Sequence, residues 1–205
     1  QWFRARGGSS QGIYGQVLLF ADTFTNYNHP EIGISATLVL EKLGYQVVLV
    51  PTRCCGRPML SNGLLEKARS NARFNVESVL PYVKNGVKLV GLEPSCILSF
   101  RDEYVEILDD FHDAKLVADN TLLIEEFVLF AKQQCKDKII FQPRRSKVLL
   151  HGHCHQKALV GIDQALEVLR MIPECDVMEI PSGCCGMAGA FGFEKEHYEI
   201  SLKIG

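Results

Sequence analysis

The stretch QVVLVPTRCCG at residues 46–56 places a short apolar run directly before two adjacent cysteines and a glycine, and DVMEIPSGCCG at residues 176–186 has the same order. Short runs rich in valine and leucine are typical of strands buried in a parallel sheet. In each stretch the cysteine pair would therefore follow the carboxyl end of a strand. The recurrence indicates that the chain contains two copies of one unit.

Both halves contain further short apolar runs, and segments with helical periodicity lie between them. In the first half we predict strands over residues 16–21, 46–50 and 87–92. Helices are predicted over residues 30–43, from a cap at Ser61 to Pro81, over 97–108 and over 122–134. In the second half, strands over 147–150 and 176–180 flank one helix with an apolar stripe: Ala158, Ile162, Ala165, Leu166 and Leu169. The expected fold is α/β, with two tandem β-α-β repeats, parallel sheets and cysteine loops at the carboxyl ends of the strands.

The spacing of the key residues supports the repeat and sets its boundaries. Cys54 follows Asp22 by 32 residues, and Cys184 follows Cys154 by 30. We assign residues 1–15 to a linker or tail, 16–135 to the first repeat, 136–146 to a basic connector and 147–205 to the second repeat. Cys96 follows Cys54 by 42 residues, and the same offset from Cys184 points to position 226. We therefore interpret the second repeat as truncated at its C-terminal side.

Composition excludes several classes of function. The chain has 205 residues, 47% of them hydrophobic, and a formal net charge of -2. A core of this size needs no disulfide staples, and a nucleic-acid partner is not expected without a basic surface. The apolar runs are too short to span a membrane, and the start carries no secretory signal, so a cytoplasmic location is predicted. Because the first residue is glutamine, we interpret the chain as a piece of a larger protein.

The eight cysteines are the chemistry-bearing residues. Adjacent cysteines seldom bond to each other, because disulfide geometry requires a Cα separation that neighbours reach only with strain. Thiolates are soft ligands that suit zinc or iron–sulfur clusters, and a helix start after each strand favours the thiolate. Gly56 and Gly186 would let the backbone approach a bulky inorganic group. The candidate ligands are Cys54, Cys55, Cys96, Cys154, Cys184 and Cys185.

Four motifs then carry a resemblance to a known family. They are TRCCGRP at residues 52–58, LEPSC at 92–96, HCHQK at 153–157 and GCCGMAGAFG at 183–192. The chain resembles the cysteine-rich CCG-domain family, which includes the B subunit of heterodisulfide reductase and the iron–sulfur subunits of glycolate oxidase and anaerobic glycerol-3-phosphate dehydrogenase. The stretch DTFTNY at residues 22–27 looks most like the C-terminal iron–sulfur region of FAD-linked lactate-dehydrogenase-like oxidases.

The resemblance implies a cofactor and a function. The family's cysteines bind a 4Fe-4S cluster, non-cubane in some members, or zinc in one repeat. The implied role is electron transfer in an FAD-linked oxidoreductase that oxidises a 2-hydroxy acid such as lactate or glycolate and reduces a quinone or another carrier. The implied partners are a flavin domain or subunit carrying the FAD and a ferredoxin-like iron–sulfur segment, and such partners could hold the chain at the inner face of the membrane.

This sequence departs from the family pattern in its first copy. Asp22 stands in the position of a lone cysteine, and Ser99 stands where the second cysteine of a C-x-x-C would follow Cys96. Three thiols remain there, and with Asp22 they would suit zinc, an iron with one replaceable position, or no metal. Any cluster in this chain alone is expected to be labile or absent. Two other functions stay open: thiol–disulfide redox catalysis at a cluster, as in heterodisulfide reductase, and a non-catalytic structural or zinc-bound interaction module.

Other polar residues near the cysteines receive more modest roles. His153 and His155 are predicted to hydrogen-bond a cluster sulfur rather than to bind metal. Arg57, Lys157 and Glu93 are expected either to balance charge at the cysteines or to form ordinary salt bridges. Cys135 and Cys175 lie outside the repeat pattern and are predicted to be small buried hydrophobic residues.

Overall fold

The computed structural model describes residues 1–9, 11–134, 140–187 and 191–205. Its first half is built on a parallel sheet of four strands: β1 (Gln16–Leu19), β2 (Gln46–Val48), β3 (Lys88–Gly91) and β4 (Thr121–Leu123). The strand order is β2-β1-β3-β4. Val17 in the central strand pairs with Val47 on one side and Lys88 on the other. The carboxyl ends of the strands therefore lie along one edge of the sheet.

The second half has a smaller parallel sheet of two strands, β5 (Ser146–Leu150) and β6 (Cys175–Glu179). The α/β fold class with parallel strands is confirmed. The described helices connect and cover the strands: α1 (Trp2–Ala5), α2 (Pro30–Lys42), α3 (Arg57–Ser61), α4 (Leu65–Val83), α5 (Pro94–Ile97), α6 (Glu103–Ile107), α7 (Phe111–Asp119), α8 (Ile124–Gln134), α9 (Cys154–Leu159), α10 (Asp163–Arg170) and α11 (Tyr198–Ile204).

Both faces of the first sheet are buried, as the apolar strands predict. Leu18 and Leu89 belong to a core cluster with helices α4 and α7, whereas Val17 and Val90 belong to a second cluster with α2 and α8. Successive side chains of a strand point to opposite faces, which explains this division. The second half buries a smaller cluster made of Ile162, Leu166 and Val177. Cys175, predicted to be a small buried hydrophobic residue, packs against this cluster but is only half-buried.

Several predicted boundaries were wrong. The helix predicted over 122–134 begins only at Ile124, because residues 121–123 extend the sheet beside β3. Pro81 does not close its helix, which continues to Val83, a residue buried in the core. Ser61 is not a cap, because it ends α3 and its hydroxyl donates to the Arg57 carbonyl.

Two predicted single helices are also broken. The stretch 97–108 divides into α5, a tight turn over Leu98–Phe100 and α6. The apolar stripe of the second half is shared between α9 and α10, with Gly161 at a φ of +76° between them. A positive φ suits glycine and ends a helix, which explains this break. Cys135, the connector residues 136–139 and Gly189 lie outside the described residues, and the repeat boundaries stay a prediction.

The two halves pack against each other through α8 and α10 and through α5 and α9. At this contact the Gln156 side-chain amide donates to Glu125 Oε1 at 2.5 Å. Burial raises the pKa of Glu125, although hydrogen bonds from its own backbone amide and from Gln156 lower it. The folded state therefore binds a proton at Glu125 more tightly than the unfolded state does.

Replacing Glu125 with glutamine should stabilise the protein at neutral pH. Because the pKa is raised on folding, the ionised carboxylate destabilises the fold progressively above pH 4.5, its ordinary value. The variant removes that charge and keeps an acceptor for Gln156, so we expect a gain of about 1 kcal/mol, or a Tm higher by roughly 2–4 °C. Thermal melts across acidic and neutral pH would show the gain vanish at low pH. A gain equal at every pH, or matched by the exposed Glu66→Gln control, would contradict this explanation.

Candidate functional site

A cavity of about 580 Å³ opens where the carboxyl ends of strands from both halves meet. The first half contributes Cys54 and Cys55, which follow β2, and Cys96, which follows β3. The second half contributes Cys154 after β5 and Cys185 after β6. Five of the six predicted ligand residues thus line one cavity. Cys184, the sixth, interacts with Cys154.

The three thiols of the first half form a compact group. Cys55 and Cys96 are buried, with their Sγ atoms 3.2 Å apart, and Cys54 is half-buried beside them. Gly56 has a φ of +88°, and a Cβ there would lie 3.4 Å from Ala68 on helix α4. The left-handed backbone of the turn therefore favours glycine at this position, while the distance to α4 is an ordinary van der Waals contact. We call Cys54, Cys55 and Cys96 the first-half thiols.

Glu93 shapes the loop that carries Cys96. Its carboxylate accepts hydrogen bonds from the Cys96 backbone amide at 2.6 Å and from the Ser95 hydroxyl at 2.7 Å. These bonds cap the short helix α5, on which Cys96 lies. The second carboxylate oxygen lies 3.6 Å from His153 Nε2 of the second half. Glu93 therefore contacts both walls of the cavity.

Two buried residues that the sequence analysis missed support the cysteine pair. The Tyr104 hydroxyl donates to the Cys55 carbonyl at 2.9 Å and accepts from Asn75 Nδ2 at 3.0 Å. Asn75 Oδ1 accepts from the Arg53 backbone amide at 2.7 Å. A signal was present, because Asn75 is an amide on the buried face of α4 between Ala72 and Val79. A buried polar side chain must be hydrogen-bonded, and here it fixes the loop before the pair.

The first-half thiols favour protonation in the absence of a metal. A hydrogen bond with Cys55, together with burial, raises the pKa of Cys54 well above its ordinary value. For Cys55, the hydrogen bond with Cys54 lowers the pKa, but the contact with Cys96 and burial outweigh it and raise the pKa to about 12. Three thiols that crowd together cannot all ionise without a cation between them. Their number and softness fit a thiolate-bound metal or cluster.

The thiols of the second half are more open to solvent. Cys154 begins helix α9 and is exposed, as is Cys185, while Cys184 is half-buried. Burial and the nearby Cys184 raise the pKa of Cys154. The Gly186 amide donates to Cys184 Sγ at 3.4 Å, and Gly186 has a φ of +79°. Lys157 Nζ donates to the Ser182 carbonyl at 2.9 Å and so holds this loop against α9.

Asp22 has a structural role in this fold. It is 2% exposed, and its two carboxylate oxygens accept from the Thr25 amide at 2.9 Å and the Thr25 hydroxyl at 2.5 Å. Both oxygens are thereby engaged in the turn that begins the segment Phe24–Asn28. The neighbouring Thr23 lines the cavity and hydrogen-bonds Cys54.

The predicted histidines both line the cavity. His153 Nδ1 accepts from the His155 backbone amide at 3.2 Å, which leaves Nε2–H directed toward Glu93. His155 Nε2 lies 3.1 Å from Arg57 Nη2 and must accept that bond, because a guanidinium has no acceptor. Burial and the Arg57 charge lower the pKa of His155. His155 is therefore neutral in this arrangement.

A possible cation site beside the cavity is already filled by a side chain. Ligand atoms of Asp102, Glu103 and His155 all lie within 4.8 Å of one another. The Arg57 guanidinium forms an ion pair with Glu103 and the hydrogen bond with His155. Its fixed positive charge stands where a metal ion would be needed. Arg57 pairs with Glu103, and Lys157 Nζ lies 3.9 Å from Glu179, as predicted for ordinary salt bridges. A charge-balancing role at the cysteines for Arg57, Lys157 and Glu93 stays a prediction.

Comparisons with known proteins agree with the cysteine pattern. The profile of the cysteine-rich domain family named CCG matches residues 20–101 and 148–205. The C subunit of anaerobic glycerol-3-phosphate dehydrogenase from Escherichia coli (strain K12) is 35% identical over 207 residues, covering 100% of this chain and 52% of that protein. D-2-hydroxyglutarate dehydrogenase of Pantoea ananatis is 29% identical over 92% of this chain and 18% of its own length.

A further relative, lactate utilization protein A 1 of Bacillus mycoides, is 24% identical over 86% of this chain and 72% of its own length. The chain thus spans about half of the glycerol-3-phosphate dehydrogenase subunit and a small part of the hydroxyglutarate enzyme. Among the described residues, no helix is long and apolar enough to cross a membrane.

Proposed function

This chain belongs to the cysteine-rich CCG family, and from that premise we propose that it is the electron-transfer region of an oxidoreductase, with an iron–sulfur cluster held at the cavity between its halves. The observation that carries the proposal is the meeting of five cysteines from both halves around one cavity of about 580 Å³. Soft thiolates in such numbers, at the edge of parallel sheets, are suited to iron–sulfur chemistry.

The residues that would hold the group are Cys54, Cys55 and Cys96 in the first half and Cys154, Cys184 and Cys185 in the second. A bound cluster would supply reversible uptake of single electrons. The chain's own contribution is to bury the first-half thiols and to place hydrogen-bond donors beside them. The Thr23 hydroxyl at Cys54 is such a donor, and donors of this kind tune a reduction potential.

The relatives suggest the chemistry of the larger protein. Their names refer to glycerol-3-phosphate, 2-hydroxyglutarate and lactate, each of which carries an oxidisable hydroxyl group. In our proposal a flavin on another domain or subunit removes a hydride equivalent from a 2-hydroxy acid, and this chain conducts the electrons to a quinone or another carrier. A ferredoxin-like iron–sulfur segment would be a further partner. Glycerol 3-phosphate is the alternative substrate to be compared.

Because a cluster in this chain alone is expected to be labile, the cofactor is tested by expression, reconstitution with iron and sulfide, and iron, sulfide and zinc analysis, all without oxygen. We expect iron and sulfide in near-equal amounts and an EPR signal that changes between the oxidised and reduced protein. Zinc alone would instead favour a structural module, and a folded protein that takes up no metal from an anaerobic iron and sulfide mixture would refute the proposal. A cluster signal that responds to an added disulfide would indicate thiol–disulfide catalysis.

A further inference from the structure

The cavity is formed by two halves, and the Arg57 side chain reaches from one to the other. Arg57 follows Gly56 directly and begins helix α3, so it is fixed to the same turn as the Cys54–Cys55 pair. Its side chain is 21% exposed and lines the cavity. The turn at Gly56 therefore places Arg57 at the same cavity as the cysteines.

The guanidinium has three partners from two halves of the molecule. In the first half it pairs with Glu103 of α6 and donates to Ser99 Oγ at 3.4 Å. In the second half it donates to His155 Nε2 at 3.1 Å. His155 is the neighbour of Cys154 on α9, so this bond acts directly on a segment that carries a thiol of the second half.

We propose that Arg57 is a positioning residue that holds the first-half thiols and Cys154 face to face across the cavity. All three contacts are made by one nitrogen, Nη2, whose two hydrogens serve Glu103 and His155, while Ser99 Oγ lies farther away at 3.4 Å. The planar guanidinium fixes the position of this nitrogen between the two halves. Glu103 neutralises the charge of the guanidinium, so the role we assign to Arg57 is to fix the positions of the residues that it hydrogen-bonds. Ser99 stands at the position of a family cysteine, and here its hydroxyl accepts from Arg57 and donates to the Ser95 carbonyl. The inference deepens the proposed function by naming what aligns its two sets of ligands.

A thiol cross-linking experiment on metal-free protein tests this role. Cys54 and Cys154 are kept and the other cysteines are changed to serine, and dibromobimane reports by fluorescence when it bridges two nearby thiols. We expect efficient bridging with Arg57 present and a severalfold lower yield in Arg57→Met. Unchanged bridging in Arg57→Met would overturn the proposal.

Two variants separate positioning from general stability. Arg101→Met removes another partly buried ion pair of the first half, the one with Glu126, which lies away from the cavity, so it should lower the Tm without lowering the bridging yield. Arg57→Met should lower the Tm as well, because it leaves Glu103 without its partner. Arg57→Lys keeps the charge beside Glu103, but its ammonium group lies on a flexible stem and is not held in a plane, so we expect a Tm near that of the parent protein and a bridging yield that stays low. An equal loss of bridging in Arg101→Met, or full rescue by lysine, would refute the assigned role. Because no metal is used, this outcome is independent of the metal analysis.

Discussion

Changing Cys96 to serine is expected to cause the largest loss of metal binding of any single substitution in this chain. Cys96 is buried, and its Sγ lies 3.2 Å from that of Cys55, so both sulfurs can face one metal or cluster. A serine hydroxyl has nearly the same shape but is a hard, protonated and therefore poor ligand. Loss of a residue that only hydrogen-bonds a metal ligand weakens metal binding by up to about 100-fold. Because Cys96 would itself be a ligand, we expect its loss to weaken binding by at least that factor. Metal content after dialysis against a chelator measures it.

Cys175→Ser provides the matched control. Cys175 is half-buried at the start of β6, and its Sγ lies 3.5 Å from Ser146 Oγ, away from the cavity. The control should keep its metal, and circular dichroism of both variants should match that of the parent protein. Equal metal retention in the two variants would show that the first-half thiols do not bind the group. Metal content is also measured in Cys185→Ser. If cysteines of both halves bind one metal or cluster, this variant should lose its metal as well.

Phe100→Ala should be the most destabilising change under the cysteine site. Phe100 is fully buried, packing edge-on against Phe20 at 5.1 Å between ring centroids and against Tyr104 at 4.6 Å. Removing such a ring costs about 3–5 kcal/mol, because the cavity left behind collapses only in part. For a chain of this length that corresponds to a Tm lower by roughly 10 °C. Differential scanning calorimetry measures the change.

The same substitution should also loosen the cysteine loop. Tyr104 packs on Phe100 and donates to the Cys55 carbonyl, so a displaced Tyr104 would free that carbonyl. We expect faster alkylation of Cys55 in Phe100→Ala, detected by mass spectrometry of the peptide. Phe111→Ala is the control, because Phe111 is 60% exposed and its loss should change stability by about 0.5 kcal/mol or less. Similar melting curves for the two variants would contradict the packing argument.

The sequence predicted the parallel α/β fold because its strands are short apolar runs that end in recognisable turns. Residues 121–123 were missed as a strand because a three-residue apolar run directly before a helix has no period of its own. The broken stripe of the second half was missed because Gly161 interrupts an otherwise regular helical pattern. Local periodicity thus located the main elements, while their ends depended on packing and on single glycines.

The individual residues of the candidate site could be predicted from the sequence, but their meeting at one cavity could not. Each of the six candidate ligand cysteines could be placed after the end of a strand, and five of them do line the cavity. That both halves face one cavity follows from the packing of α8 on α10 and of α5 on α9, which no local pattern encodes. The engagement of Asp22 by Thr25 and the Arg57 bond to His155 are likewise visible only in three dimensions.

The unequal exposure of the two thiol sets has a consequence for how the protein would age in air. Hydrogen peroxide or dioxygen diffusing from solvent reaches the exposed Cys154 and Cys185 before it reaches the buried Cys55 and Cys96. Oxidation would therefore begin at the second half, and an aerobically stored sample would keep Cys55 and Cys96 as thiols while Cys154 and Cys185 became sulfinic or sulfonic acids. A preparation exposed to air would thus lose the metal-binding thiols of the second half before those buried in the first.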